Sequence, residues 1–271
     1  MKKSVLTAII FLFTFNVYCQ KQRIVSLTPA GTEIVCAVGA MDCLVARTDF
    51  CNFPEEVKNI PSVGGFDSSS FSVEKILSFK PDFVYATKGM HDQFVKQLKI
   101  FNVDVYLSQG NSVEGVLEEI LYIGKITGHE NKALDVKKSI EEKIALVKEK
   151  YDGQKKVSVY YEVWNSPYMS AGNTSFINEL ISYAGGKNIF EDLKDAYPLV
   201  SEEEIILRQP EVILLPDQNG VLPESLKKRH GWKKIPAVSK KHVYLISSDL
   251  CSRPCPRIAD AIEDIAEKIH R

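Results

Sequence analysis

Two stretches of this sequence carry the same phrase, and that repetition limits the folds that the chain can adopt. Residues 74–84 and residues 203–213 each run from a glutamate through an apolar helical segment to a proline, an acidic residue and an apolar strand. A second pair of similar strands follows in the same order, at residues 105–108 and 243–246. Two matches in one order favour duplication of an α/β lobe over phrases that any α/β protein repeats.

Strands and helices alternate within each half, which is typical of parallel sheets covered by helices. Between the halves, residues 113–151 place apolar side chains at helical spacing. Gly128 either divides this segment into two helices or kinks one long helix. The sequence predicts an α/β fold of two Rossmann-like lobes with parallel sheets, joined by a long rigid helix. We expect the lobes at residues 20–112 and 152–271.

The first residues indicate export. Lys2 and Lys3 precede an apolar run over residues 5–17, which is shorter than the roughly 20 residues that span a bilayer. We therefore interpret residues 1–19 as a secretory signal and expect the protein in the periplasm or at the outer face of the cytoplasmic membrane. Cys19 leaves open a lipoprotein, in which a lipid on this cysteine is the only link to a membrane.

Charge and cysteine content limit the partners. The formal net charge is −1, whereas a nucleic-acid-binding protein would show a basic excess or stripe, so we expect a soluble monomer without nucleic acid. Disulfides are the usual state of exported cysteines. Cys43 with Cys51 and Cys251 with Cys255 are the local pairs, although spacing does not fix connectivity. A zinc site of four cysteines is disfavoured because CxxC spacings are absent.

The loops that follow the predicted strands are the candidate binding site, because ligands of open α/β sheets lie beyond the carboxyl ends of the strands. Four aromatic residues lie in these loops: Phe50, Phe66, Trp164 and Tyr197. A cleft rich in aromatic side chains and poor in charge suits a large, flat ligand of mixed polarity.

The last such loop adds two charged residues. Asp249 and Arg253 either bond amide or phosphate groups of the ligand or form a local salt bridge with each other.

Signatures of catalysis are missing from the sequence. It contains no GxSxG elbow, P-loop, HExxH or dinucleotide fingerprint. A secreted hydrolase using His91 or Asp249 is the remaining enzymatic hypothesis, and it lacks a nucleophile–base pair. Of the histidines, only His91 comes close to the loops where a metal-ion binder would offer several ligands. We expect a binding protein that is not an enzyme and holds no cofactor and no metal.

The chain resembles the periplasmic cobalamin-binding proteins of ABC importers in five phrases, at residues 23–33, 80–84, 185–190, 197–203 and 248–258. Lys-Pro-Asp, at the start of the second phrase, is shared with siderophore and haem binders. The combination of Tyr-Pro-x-Val-Ser with Ser-Asp-x-x-x-Arg is more specific to the cobalamin branch. Some members of that family carry a cysteine pair that this chain lacks, and Ala184 stands where the first cysteine of that pair would be.

This resemblance implies the class III periplasmic-binding-protein fold, with a corrinoid held between the lobes and delivered to the permease of an ABC importer. A ferric siderophore or haem in the same fold is the alternative ligand. The residues implied to line the site are Thr28, Pro29, Ala30, Gly31, Phe50, Gly65, Phe66, Lys88, Gly89, Trp164, Tyr197, Asp249 and Arg253.

The resemblance also assigns a role to the two glutamates of the repeated phrase. Glu74 and Glu203 are predicted to dock onto arginines of the permease. The alternative is that they are ordinary helix-start glutamates stabilised by the helix dipole.

Overall fold

The first lobe is built on one parallel sheet. The computed structural model describes residues 22–65, 70 and 72–271, so the predicted signal segment, Cys19 and Phe66 lie outside the described residues. The strands of the lobe are β1 (Ile24–Ser26), β2 (Leu44–Thr48), β3 (Ser62–Gly64), β4 (Phe83–Thr87) and β5 (Asp104–Ser108). Its helices are α1 (Pro29–Ala37), α2 (Val73–Ser78) and α3 (Asp92–Ile100). The strand order is β3-β2-β1-β4-β5 and every pairing is parallel, so all five carboxyl ends meet at one edge.

The second lobe repeats this plan with one change. Its strands are β6 (Val157–Asn165), β7 (Tyr168–Ser170), β8 (Gly186–Asn188), β9 (Val212–Pro216) and β10 (Val243–Ile246). Its helices are α6 (Phe176–Tyr183), α7 (Glu202–Arg208), α8 (Pro236–Ser239), α9 (Ser248–Ser252) and α10 (Ile258–Ile269). The order is β10-β9-β6-β7 with β8 also paired to β6, and only the β6–β7 hairpin is antiparallel. The predicted fold of two parallel-sheet lobes is confirmed.

Two helices connect the lobes where the predicted fold has one long helix. They are α4 (Val113–Thr127) and α5 (Glu130–Lys150). Gly128 between them adopts a left-handed conformation, with φ of 71°, which ends a helix and is favourable only without a Cβ. Helix α5 folds back onto α4 and also packs on α10, while α4 touches α1 in the first lobe and α6 in the second.

One hydrophobic core runs through both lobes. The cluster that contains Ile24 and Phe83 of the first sheet continues through Ile120 of α4 to Val159 of the second sheet. Helix α10 packs into the same cluster with a strongly apolar face, of which Ile262 is a fully buried member. Within the described ranges, no helix combines the length and the apolar character needed to cross a bilayer.

The expected disulfides are not found within the described part of the chain. Cys43, Cys51, Cys251 and Cys255 are all buried, and none of them forms a disulfide with another described residue. Two of these cysteines lie in different environments. Cys51 accepts a hydrogen bond from the Thr32 hydroxyl at 3.1 Å. Cys251 lies in the main core instead. Burial raises the pKa of Cys251 to about 12, which disfavours the thiolate that disulfide exchange requires.

Candidate functional site

The loops at the carboxyl edges of the two sheets face each other across what we call the interlobe cleft. The side chain of Asn52, after β2, donates a hydrogen bond to Asp249 of α9 at 3.3 Å. Asn52 also accepts one from Arg253 at 2.7 Å. These contacts join residues about 200 positions apart, so the candidate site lies between the lobes, as the position of the loops predicts.

Three of the predicted aromatic residues are exposed, two of them in loops, whereas Trp164 lies at the end of strand β6 and not in the loop that the sequence predicts. Phe50 is 58% exposed in the first lobe, and Trp164 and Tyr197 are 49% and 48% exposed in the second. Trp164 is held in the β6–β7 hairpin, where its indole N–H donates to the carbonyl oxygen of Ser166 at 2.9 Å. Large aromatic side chains left this exposed provide apolar surface for a ligand.

A buried ionic network joins the lobes beneath these aromatics. Glu33 of α1 is 3% exposed and receives two hydrogen bonds from the Arg257 guanidinium, both at 2.7 Å. Arg253 adds a third at 3.2 Å. The Arg257 guanidinium also lies 4.1 Å from the centre of the Phe53 ring. Burial alone would lower the pKa of Arg257, but the hydrogen bonds and charge of Glu33 outweigh it and raise the pKa.

This network uses both charged residues that the sequence predicts as ligand contacts. Arg253 forms an ion pair with Asp249 at 2.7 Å, which is the local salt bridge that the sequence predicts as one of two alternatives. Arg253 also contacts Glu33. The charge of each group is thereby compensated within the protein. Apart from Lys88, which is exposed after β4, the predicted contacts with uncompensated surface in the described cleft are aromatic or neutral polar.

The turn that opens α1 is more buried than a ligand-contacting turn would be. Thr28, whose hydroxyl accepts the Gly31 N–H at 2.9 Å, is the N-cap of α1. Thr28, Pro29, Ala30 and Gly31 are all buried. A Cβ on Gly31 would lie 2.1 Å from the Tyr85 ring, so helix–sheet packing already accounts for the glycine. The contact of this turn with ligand stays a prediction.

The remaining predicted contacts of the first lobe lie at its carboxyl edge. Gly65 follows β3 directly, and Lys88 and Gly89 follow β4, both exposed. Gly89 has φ of 83°, and its N–H donates to Asp92 at 3.0 Å. His91, the residue of the hydrolase hypothesis, is fully buried and its Nδ1 accepts the Thr87 N–H at 3.0 Å, which makes it a structural group of this loop.

A cavity that the sequence did not reveal lies in the second lobe next to Tyr197. Its volume is about 240 Å³, and its polar lining comes from Tyr161, Tyr197, Gln218, Asn219, Ser248 and Ser252. Gln218 and Asn219 follow β9, so the rule of post-strand loops would have found them. Tyr161 lies inside β6 and is 1% exposed, and nothing in the sequence distinguishes such a residue from core.

The two glutamates of the repeated phrase occupy equivalent positions in the structure. Ser72 caps α2 by accepting the Lys75 N–H, and Ser201 caps α7 with a complete capping box. Glu74 and Glu203 are both the second residue of their helix and both are exposed. Two hydrogen bonds to its carboxylate lower the pKa of Glu74: the larger effect comes from the backbone N–H of Glu74 itself and the smaller from the Ser72 hydroxyl.

Metal binding finds no support in the arrangement of the usual ligands. Across residues 22–65, 70 and 72–271, no three His, Cys, Asp or Glu side chains are grouped in a way that could hold a metal ion.

Known proteins resemble this chain over nearly its whole length. A relative from Vibrio parahaemolyticus, named a vitamin B12-binding protein, is 29% identical over 248 residues, which are 91% of this chain and 88% of the relative. A Bacillus subtilis protein, named an uncharacterized ABC transporter substrate-binding lipoprotein, is 32% identical over an alignment that covers 93% of this chain and 81% of the length of that protein.

Solved structures share the fold. The periplasmic vitamin B12 binding protein of Vibrio cholerae has a TM-score of 0.79 at 24% identity, covering 92% of this chain and 96% of its own. Structures titled as heme-binding and possible iron-binding proteins share it too. The sequence pattern of the family described as "Periplasmic binding protein" matches residues 24–250. The chain belongs to the periplasmic binding protein family.

Proposed function

We propose that this chain captures a cobalamin-like corrinoid in the interlobe cleft and delivers it, chemically unchanged, to an ABC importer. The observation that carries the proposal is the set of exposed aromatic side chains at the carboxyl edges of the two sheets, namely Phe50 and Tyr197 in loops and Trp164 at the end of β6. A corrinoid is a large, flat ring system with a polar periphery, and such a ligand gains most from aromatic contact combined with neutral hydrogen-bonding groups. The name of the Vibrio parahaemolyticus relative agrees with this ligand.

The alternative ligands, a ferric siderophore or haem, have less support from the geometry. An anionic chelate needs several uncommitted cations, whereas Arg253 and Arg257 are both engaged with Glu33 and Lys88 is the one exposed cation among the predicted contacts in the described residues. Haem needs an axial ligand, usually His or Tyr. The Tyr168 hydroxyl donates to Glu202 at 3.4 Å, which leaves Tyr197 as the axial candidate of the aromatic loops.

Delivery requires a surface that the permease recognises. We infer that Glu74 and Glu203 form this surface, because they are exposed at the same position of equivalent helices in the two lobes. Two carboxylates related by the internal repeat suit a permease built from two similar halves, each offering a cation. The same proposal places the protein outside the cytoplasm, in keeping with the family and with the substrate-binding relative.

Calorimetric titration of the purified chain tests the ligand. We expect one-to-one binding of cyanocobalamin with a dissociation constant of about 1 μM or tighter, corresponding to roughly −8 kcal/mol, and no heat with haem or a ferric siderophore. Phe50→Ala should weaken binding about tenfold or more, because an aromatic contact is lost from the cleft.

Phe101→Ala is the matched control. Phe101 and Phe50 are equally exposed, at 58% each, but Phe101 follows α3 and precedes β5, at the opposite edge of the sheet. Its removal should leave affinity unchanged. Binding of haem or of the siderophore in place of cyanocobalamin would refute the corrinoid assignment while keeping the fold and the importer.

A further inference from the structure

The cavity beside Tyr197, which we call the Tyr161 pocket, contains a tyrosine hydroxyl that no described residue hydrogen-bonds and that opens into the cavity. Tyr161 is 1% exposed and lines the pocket. Its hydroxyl makes no hydrogen bond to any residue that the structure describes, whereas its neighbour Tyr160 on the other face of the sheet reaches Glu162 at 3.5 Å. The rest of this side chain is enclosed by protein, so the hydroxyl can bond only to a group that enters the cavity, which is water in the free protein and a polar group of the ligand in the complex.

The Tyr161 hydroxyl is available as a donor. Burial raises its pKa well above the usual range of tyrosine, so the phenol keeps its proton at every physiological pH. The two serine hydroxyls of the pocket are already committed, because Ser248 donates to Asp217 at 2.7 Å and Ser252 donates to the Ser248 carbonyl oxygen at 2.6 Å.

Asn219 supplies an acceptor in the same pocket. Its side-chain nitrogen donates to the carbonyl oxygens of Val163 at 2.8 Å and of Glu162 at 3.3 Å. These two bonds use both amide hydrogens and fix the orientation of the group. Asn219 Oδ1 therefore remains an acceptor, and within the described ranges no donor reaches it.

Size and charge define what the pocket accepts. Its volume of about 240 Å³ is below the roughly 300–1,000 Å³ of a site for a whole ligand, so it takes a side group. The described lining contains no lysine or arginine, and Asp217 lies directly behind Ser248. A carboxylate would enter next to a negative charge without a cation to pair with, whereas a neutral amide would not.

We propose that the Tyr161 pocket receives a primary amide side chain from the periphery of the ligand. The Tyr161 hydroxyl donates to the amide oxygen, and Asn219 Oδ1 accepts from the amide nitrogen. This inference rests on the proposed function, because corrinoids carry acetamide and propionamide arms around the ring. Haem carries two propionate carboxylates on its periphery and no amide, so the pocket selects the corrinoid by its neutral arms.

Titration of Tyr161→Phe with cyanocobalamin tests the proposal. A lost hydrogen bond of about 0.5–1.5 kcal/mol corresponds to an affinity roughly 2–13-fold weaker. The ligand-free variant should be as stable to heat as the parent, since the hydroxyl bonds no described residue of the protein. A merely structural role of the hydroxyl would instead lower stability together with affinity.

Tyr160→Phe is the matched control, because it removes a buried hydroxyl from the adjacent residue on the opposite face of β6, and its affinity should equal that of the parent. Ser252→Leu, at an exposed residue of the pocket rim, should weaken binding by filling the space.

Cobinamide, which lacks the nucleotide but keeps the ring amides, distinguishes the part of the ligand that enters. It should show the same loss with Tyr161→Phe as cyanocobalamin. Parent-like affinity of Tyr161→Phe, or a loss confined to cyanocobalamin, would overturn the amide assignment. Absence of any corrinoid binding by the parent would overturn the proposed function itself, so the two failures are distinguishable.

Discussion

At the scale of single residues, the site is decided by contacts between side chains far apart in sequence. Arg253 and Glu33 are separated by 220 positions, and no local pattern connects them. The rule that ligands lie beyond the carboxyl ends of strands was sufficient to select Phe50, Trp164 and Tyr197 as candidates, and the structure shows these three side chains exposed. The rule gave no information about which polar groups in the same loops are already partnered.

Gly31 shows how packing can account for a residue that the sequence links to ligand binding. A Cβ there would lie 2.1 Å from Cδ1 of Tyr85. The Tyr85 ring is fully buried and its hydroxyl donates to Glu119 of α4, so the ring has no room to withdraw. Gly31→Ala should therefore cost about 1–3 kcal/mol of the free energy of unfolding, measured by urea denaturation.

The double variant Gly31→Ala with Tyr85→Leu separates this clash from other effects. If the ring is the obstacle, the two changes together should cost less than the sum of the single ones. Strictly additive costs, or a harmless Gly31→Ala, would show that α1 does not depend on this close approach.

At the scale of elements, apolar runs were sufficient to place the long strands and helices. The helix-to-strand phrases predicted at residues 74–84 and 203–213 coincide with α2 followed by β4 and with α7 followed by β9. Three short strands were missed, namely β3, β7 and β8. β3 and β8 consist largely of glycine and polar residues, and their conformation is set by pairing with a neighbouring strand and not by their own propensity.

The repeated helices α2 and α7 carry the prediction that belongs to this scale. Glu74→Arg combined with Glu203→Arg should leave corrinoid affinity unchanged and reduce uptake tenfold or more, because like charges would then face the arginines of the permease. Affinity is measured by calorimetry, and uptake in cells whose corrinoid import depends on this protein. The change at each helix start should cost only about 0.3–1 kcal/mol of stability.

Glu114→Arg provides the control for this experiment. Glu114 is also the second residue of a helix capped by serine, Ser112 of α4, and is exposed, but it lies outside the repeat. Its reversal should leave uptake intact at the same cost in stability. Undiminished uptake by the double variant would contradict the docking role of Glu74 and Glu203.

At the scale of the whole molecule, the lobes are joined twice. The main hydrophobic cluster passes from β1 through α4 to β6, and the Glu33–Arg257 pair bridges the lobes next to the cleft. A binding protein whose lobes are fixed in this way keeps a largely preformed cleft, so specificity depends on the surface it presents more than on closure.

Glu33→Ala tests this bridge. It leaves the Arg257 guanidinium partly buried without its carboxylate, whereas Arg253 keeps its ion pair with Asp249, and the change should cost roughly 3–5 kcal/mol. Trp164 and Trp232, the two tryptophans of the chain, both lie in the second lobe, so their fluorescence reports that lobe while far-ultraviolet circular dichroism reports both. The parent should give coincident urea transitions by the two probes, and Glu33→Ala should move both midpoints to lower urea concentration, since the main hydrophobic cluster still couples the lobes.

The paired variant Glu33→Met with Arg257→Met distinguishes loss of the bridge from burial of an unpaired charge. Because well-packed apolar groups often replace a buried ion pair at little cost, this variant should regain most of the stability that Glu33→Ala loses. Equal losses in the two variants would mean that the stability is lost with the ion pair itself, and not through the uncompensated charge of a buried guanidinium. Separate transitions for the two probes in the parent would show instead that the shared core does not couple the lobes.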